Sequence, residues 1–193
     1  MLLRTGRGLI RQILQRRGAQ KARYLTPHLP AGGRVLDLGA AEGFVGEALH
    51  QQGFDVVLAD VVDRSTTHLP YVVFDGRALP FEADHFDAVV IVYVLHHARD
   101  ADQLLREALR VAPRVVILET VFEQEVDRRL TAFLDHRANA LRGLAPEPLD
   151  LDTPQGWIER VGVAGGEVES WAWLGRRVHR HILMVVSRCP PSH

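Results

Sequence analysis

The stretch from residue 34 to residue 44 reads RVLDLGAAEGF. A short apolar run ends in an acid one residue before its close, and two glycines follow four residues apart. This is how a buried strand passes through a tight turn into a helix, with Asp37 near the strand end and Gly39 and Gly43 where backbone bends or approaches a ligand. Moving outward, further continuous β-branched runs occur at 55–60 (DVVLAD), 71–74 (YVVF), 87–94 (DAVVIVYV) and 114–119 (RVVILE). Runs of this kind belong to strands covered on both faces. Helical periodicity lies between and around them, at 8–24, 43–52, 100–111, 123–142 and 153–161. Pro27 and Pro30 close the first helix and Gly32-Gly33 make a turn. Segments 167–173 and 178–187 have no helix between them and flank Leu174-Gly175, so they pair antiparallel. The expected fold is α/β: a doubly wound seven-stranded sheet, mostly parallel, with a C-terminal antiparallel hairpin and an added N-terminal helix. The expected organisation is a basic helix over 1–30 that docks or acts as a lid, then one domain over 31–193 with a helical insertion at about 122–150.

The chain has 193 residues, 47% of them apolar and 24% charged, with a formal net charge of −1. These values exclude a disordered tail, a fibre and a charged linker. The near-zero charge hides an asymmetry. Residues 1–34 carry eight basic groups and no acid, so the remaining 15 basic groups share the rest of the chain with all 24 acids. One cysteine, Cys189, excludes an internal disulfide framework and a Cys-based zinc cluster. No metal site is expected, because the histidines lack ligand spacing. The N-terminus lacks the continuous apolar core of a signal peptide, and no window reaches the length of a membrane span. The expected location is the cytoplasm. Nothing in the sequence sets an oligomeric state.

In open α/β sheets, ligands bind beyond the carboxyl ends of the strands where strand order reverses. From Gly39, a dinucleotide fingerprint fails at Ala41 and Phe44, and no Gly-Lys-Ser/Thr follows for a phosphate loop. Asp60 closes the second strand, where an acid can accept both hydroxyls of a ribose. Asp75, before Gly76, follows the third strand. Three acids at three strand ends suit a ligand with an amine, a ribose diol and a nucleobase but no phosphate, which would call for lysine or arginine. Blander readings stand beside these. The Asp37–Gly43 segment also reads as an ordinary strand-to-helix turn, Asp60 as a helix cap and Asp75 as a turn-forming aspartate. His96 and His97 follow the fourth strand, where one serves as a general base or both as pocket wall. Tyr93 reads as wall, and His179, His181 and Met184 as packing in the last strand.

Together VLDLGAAEGFVGEAL, the acid of VLAD, FDGRALPFEADHFDAVVIVYVLHHA and LLREALRVAPRVVILE resemble the class I S-adenosylmethionine-dependent methyltransferases, in their broad small-molecule branch, over roughly residues 25–190. The resemblance implies a Rossmann-like fold and S-adenosyl-L-methionine as cofactor. It places the Gly39–Gly43 loop, with Gly39, Ala40 and Gly43, beside the methionine part, Asp60 on the ribose, Val61 on the adenine and Asp75 at the adenine amine, with Asp37, Gly76 and Tyr93 as further cofactor-binding candidates. The family commonly has glycine where Ala41 stands and a small residue at Glu42. An alanine is expected to keep φ below zero, leaving the loop less tight. The family's Asn/Asp-Pro-Pro-Tyr/Phe turn for amine methylation is absent after the fourth strand, which reads Tyr93-Val94-Leu95-His96-His97, and Cys189 lies too far along the tail for cytosine methylation. The implied activity is methyl transfer to a small-molecule acceptor. The pocket would be walled by the N-terminal helix, His96-His97 and the helix at 123–142. An RNA-modifying methyltransferase using the basic N-terminus is the alternative, and the acidic body argues against a nucleic-acid partner. A non-catalytic cofactor-binding protein is the other. The N-terminal helix on a membrane surface would anchor only weakly through four apolar positions.

Overall fold

A computed structural model describes residues 2–123, 150–175 and 180–190, with side chains from Gly8 onward. The helix expected at 123–142, the interior of the insertion expected at 122–150, and His179 lie outside the described residues. Helix α1 (Leu2–Leu25) leads through a 3-10 turn at Thr26–His28 into β1 (Arg34–Leu38). Then follow α2 (Phe44–His50), β2 (Asp55–Asp60), β3 (Tyr71–Val73), β4 (Ala88–Val92), α3 (Ala101–Val111), β5 (Arg114–Val121), α4 (Pro154–Val163), β6 (Gly166–Leu174) and β7 (Arg180–Arg188). The strands form one sheet in the order β3-β2-β1-β4-β5-β7-β6. The first five are parallel neighbours, and β7 runs antiparallel between β5 and β6. The order reverses between β1 and β4, because the chain runs outward through β2 and β3 before returning to the other side of β1.

The period-two alternation of each strand divides the core into two layers. Val56, Leu58, Val90, Val116 and Leu118 face α1 and α2, while Val57, Val89, Ile91 and Ile117 face α3 and α4 with Trp157 and Ile182. Helix α3 covers its layer with Leu104, Leu105, Ala108 and Leu109, and its first turn is capped by Asp100, which accepts from the Gln103 N–H at 2.9 Å. Thr153 caps α4 at the Gly156 N–H, with Pro154 at the first helical position. Helix α2 has no such cap of its own, since Gly43 precedes it with φ 84°. The Asp37 carboxylate, reaching across from β1, accepts from the Gly46 N–H at 2.8 Å and takes that place. Apart from α1, the expected boundaries shift by a residue or two. Strand β4 stops at Val92 because Tyr93 takes φ 59°, and β5 continues to Val121 beside β7.

Helix α1 extends further than its periodicity predicts and packs into the core through Ala22 and Leu25. Its contact with α2 depends on Gly18, where an added Cβ would lie 2.6 Å from the Phe44 carbonyl oxygen. Backbone cannot yield as a flexible side chain does. Gly18→Ala should therefore lower unfolding stability by about 1 kcal/mol or more, the ~1–3 kcal/mol of overpacking outweighing the helix-propensity gain of at most ~1 kcal/mol. Gly8→Ala, in open space on the same helix, serves as the control and should not destabilise. Urea denaturation of the two variants decides the matter, and equal stability of both would show that α1 and α2 do not approach this closely.

Asp37 makes the stability of the fold depend on pH. Burial pushes its carboxyl up to about 7 from 3.8, against the opposing pull of the Gly46 N–H and Lys21. Between those values the folded protein holds a proton that the unfolded chain has lost, so this group's contribution falls as pH rises from about 4 to about 7. Asp37→Asn should leave stability near pH 4 unchanged and raise it above pH 7 by about 1–4 kcal/mol relative to the unsubstituted chain. Urea midpoints across that range test this, and an equal effect at both ends would contradict it.

Candidate active site

The carboxyl ends of β1, β2 and β4 meet at the reversal of strand order, and the loop Gly39–Gly43 crosses this point. Gly39, Ala41 and Gly43 have φ of 77°, 49° and 84°. The expectation that Ala41 keeps φ below zero is thus overturned. A left-handed alanine costs roughly 1–2 kcal/mol, and it is held there by both of its backbone polar groups. Its N–H donates to Asp60 Oδ2 at 2.8 Å, and its carbonyl lies 3.2 Å from the Tyr71 hydroxyl. The same hydroxyl lies 3.0 Å from the Val62 carbonyl, so Tyr71 ties the glycine loop to the segment after β2. Burial, with the Asp60 charge adding to it, pushes the Tyr71 hydroxyl up to about 12.

Asp60 is buried at the end of β2. Its Oδ1 accepts from the Val61 N–H at 2.7 Å, and the Arg64 guanidinium stands 3.9 Å from Oδ2. Asp60 caps no helix. It braces the loop, and each oxygen keeps a second lone pair for a ligand hydroxyl. Val61 and Val62 are about half exposed, at 51% and 54%, an unusual position for valines beside a buried carboxylate. Asp75 is exposed and forms the turn considered for it: Oδ1 accepts from the Arg77 and Ala78 N–H groups at 2.8 and 3.0 Å, which hold its carboxyl below the usual range. Gly76 has φ 80°, and a Cβ there would lie 3.2 Å from Val61. The turn after β3 therefore lies against Val61. The structure brings together Asp60, Val61, Gly76 and the glycine loop, with Asp75 at the rim.

The other half of the site follows β4. Gly39 is pressed against Val94, where a Cβ would come within 2.3 Å of the valine methyl, so the segment after β4 packs directly on the glycine loop. Here the sequence signal misses the central partner. Glu119, fully buried in β5, contacts His96 Nδ1 through Oε1, which also accepts from the Thr120 N–H, while Oε2 accepts from the Leu95 N–H at 2.9 Å. His96 is buried, and the half-buried His97 ring lies 4.0 Å from it between centroids. An acid within the otherwise apolar run RVVILE was the visible clue. Tyr93 is flanked by the His181 ring at 4.8 Å and by the Lys21 ammonium, 4.7 Å from its centroid. Burial and then Glu119 push the Tyr93 hydroxyl further up, so it stays protonated through the neutral range. Lys21, the only lysine in the chain, thus extends from α1 to Tyr93 and also favours the charged form of Asp37. Met184 is buried in the core.

A shallow groove of about 430 Å³ lies at the opposite end of the sheet, beside Pro27, Pro30 and Arg114 at the start of β5. It is remote from the strand ends where this class of sheet binds ligands. At the carboxyl ends, the donor set fits S-adenosylmethionine. A carboxylate with spare lone pairs, an exposed valine beside a glycine turn, and a buried aspartate match a diol, a flat base and cationic groups, and they would repel a phosphate.

A model of the methyltransferase domain family matches residues 8–182. A demethylmenaquinone methyltransferase of Renibacterium salmoninarum is 36% identical over 87 residues, 42% of this chain and 37% of the relative. The ubiquinone/menaquinone biosynthesis C-methyltransferase of Pseudomonas putida is 28% identical over 142 residues, 64% of this chain and 55% of the relative. The matched region thus spans about half or less of these relatives' length. A solved S-adenosylmethionine-dependent methyltransferase from Methanosarcina mazei superposes with a TM-score of 0.70 at 13% identity, covering 86% of this chain and 97% of that one, a likeness of fold. The reversed strand order, the glycine loop and the family match lead to one conclusion: the chain belongs to the methyltransferase domain family and has the class I fold.

Proposed function

We propose that this chain transfers a methyl group from S-adenosylmethionine to a small-molecule acceptor held over the carboxyl ends of β4 and β5. The observation that carries this reading is the packing of the Asp60-braced glycine loop directly against the segment that bears His96 and His97. A cofactor site and a buried base therefore share one wall. When bound, the cofactor supplies an electrophilic methyl group on a sulfonium, so the protein's part is to orient, to exclude water and to manage one proton.

Asp60 would accept the ribose hydroxyls, and Val61 and Gly76 would form the surface for the adenine, whose amine Asp75 would meet. Gly39, Ala40 and Gly43, with Asp37, would hold the methionine portion, and Tyr93 would line the site. The contact of Glu119 with His96 Nδ1 fixes the orientation of the imidazole ring. His96 then takes the acceptor's proton, and His97 forms the adjoining wall. The names of the relatives direct the choice of acceptor toward quinone-type rings, where loss of a phenolic proton makes the ring more nucleophilic.

Asp60→Ala should weaken S-adenosylhomocysteine binding by roughly 1.5–3 kcal/mol, the scale of a hydrogen bond to a charged group. Isothermal calorimetry measures this, and unchanged affinity would remove Asp60 from the site. His96→Asn should lower kcat about 10²-fold or more, the usual contribution of a positioned base, while cofactor affinity stays within a factor of about two. Single-turnover methylation of a panel of phenolic and quinol acceptors provides the readout. Full activity in this variant would exclude His96 as the base, and binding without transfer to any acceptor would favour a non-catalytic role.

A further inference from the structure

Helix α1 has two apolar faces, and the described residues of the body cover only one. Gly18, Ala22 and Leu25 are buried against α2 and the sheet, with Leu14 half-buried on the same side. At 100° per residue, Leu9, Ile13 and Tyr24 fall on the opposite side, with Ile10 at its margin. They are 61%, 43% and 39% exposed, and Ile10 is 60% exposed. Arg16, Arg17 and Arg23, also exposed, flank this second stripe. Residues 1–34 contain no acid to offset them. Large aliphatic side chains enclosed by arginines on the solvent side of a helix are poorly placed for water alone.

We propose that the outer face of α1 docks on an anionic lipid surface, as a reversible peripheral contact. Charge complementarity selects this occupant. The arginines meet lipid headgroups while Leu9, Ile10, Ile13 and Tyr24 enter the boundary with the acyl chains, the arrangement of an interfacial helix. The acidic remainder of the chain is repelled by the same surface, which turns α1 toward it. A second copy of the chain does not match this face, because pairing would bring two arginine clusters together. RNA would satisfy the arginines and leave the aliphatic stripe in water. The N-terminal half of α1 lies on the site side of the molecule, since Arg11 donates to the Thr66 carbonyl at 3.3 Å in the loop that follows β2. The docking proposal is independent of which acceptor is methylated.

Flotation of the full chain with vesicles provides the test, using phosphatidylcholine alone and phosphatidylcholine with about one third phosphatidylglycerol. Binding is expected to the anionic vesicles, to weaken as salt is raised, and to fall roughly tenfold or more in Arg16→Gln/Arg17→Gln. Leu9→Ser/Ile13→Ser should lose binding to a similar degree. All four positions are exposed, and an unchanged circular dichroism melt confirms that each variant folds. Equal partitioning to both vesicle types, or binding unaffected by the serine pair, would overturn the proposal. So would concentration-dependent dimerisation abolished by the serine pair, or RNA binding that survives it while vesicles are ignored.

Discussion

The hydrogen bond from the Ala41 N–H to the buried Asp60 carboxylate sets the geometry on which the site depends. A chain that leaves a parallel strand and turns into a helix within five residues exposes backbone N–H groups where the sheet can no longer satisfy them. Leaving such a group buried and unpaired costs about 1–3 kcal/mol. Here two aspartates meet that demand, Asp60 at Ala41 and Asp37 at Gly46. The first holds a non-glycine residue in the left-handed region, and the second starts α2 in place of an ordinary cap. Because the loop is pinned from β2 and by Tyr71, Gly39 can press against Val94 and align the segment after β4 with it.

Charge is distributed to match this arrangement. Asp37 is costly to bury, as its raised carboxyl shows, and the one lysine in the chain lies near enough to offset part of that cost. Glu119 is the deeper case. Fully buried, it is held by two backbone N–H groups and a histidine, which together use most of its lone pairs. A network satisfied this completely specifies one arrangement of the segment after β4, and His96 is fixed by it.

The elements were largely legible, for particular reasons. RVLDL, DVVLAD and AVVIV lie in strands because both of their faces are covered, and a continuous β-branched run reports that directly. Asp60 was legible as a site residue because its place in the chain, the last residue of β2, also gives its place in the sheet. Glu119, Tyr71 and Lys21 were not found. Their parts depend on partners 23, 30 and 72 positions away, at His96, Ala41 and Tyr93, and no local pattern records such a pairing. Intrinsic preference gives Ala41 the wrong sign of φ, because it omits the two tertiary bonds that override it.

By itself, the sequence determined the alternation of strands and helices, the glycine loop, the acids at the strand ends and the basic helix before them. These are properties of periodicity and composition, which act over a few residues. Tertiary structure alone decided that β7 enters between β5 and β6, that Glu119 governs His96, and that α1 keeps a second apolar face uncovered by the described residues. Each of those outcomes depends on which distant surfaces meet. Packing settles that only when the two core layers close on the sheet together.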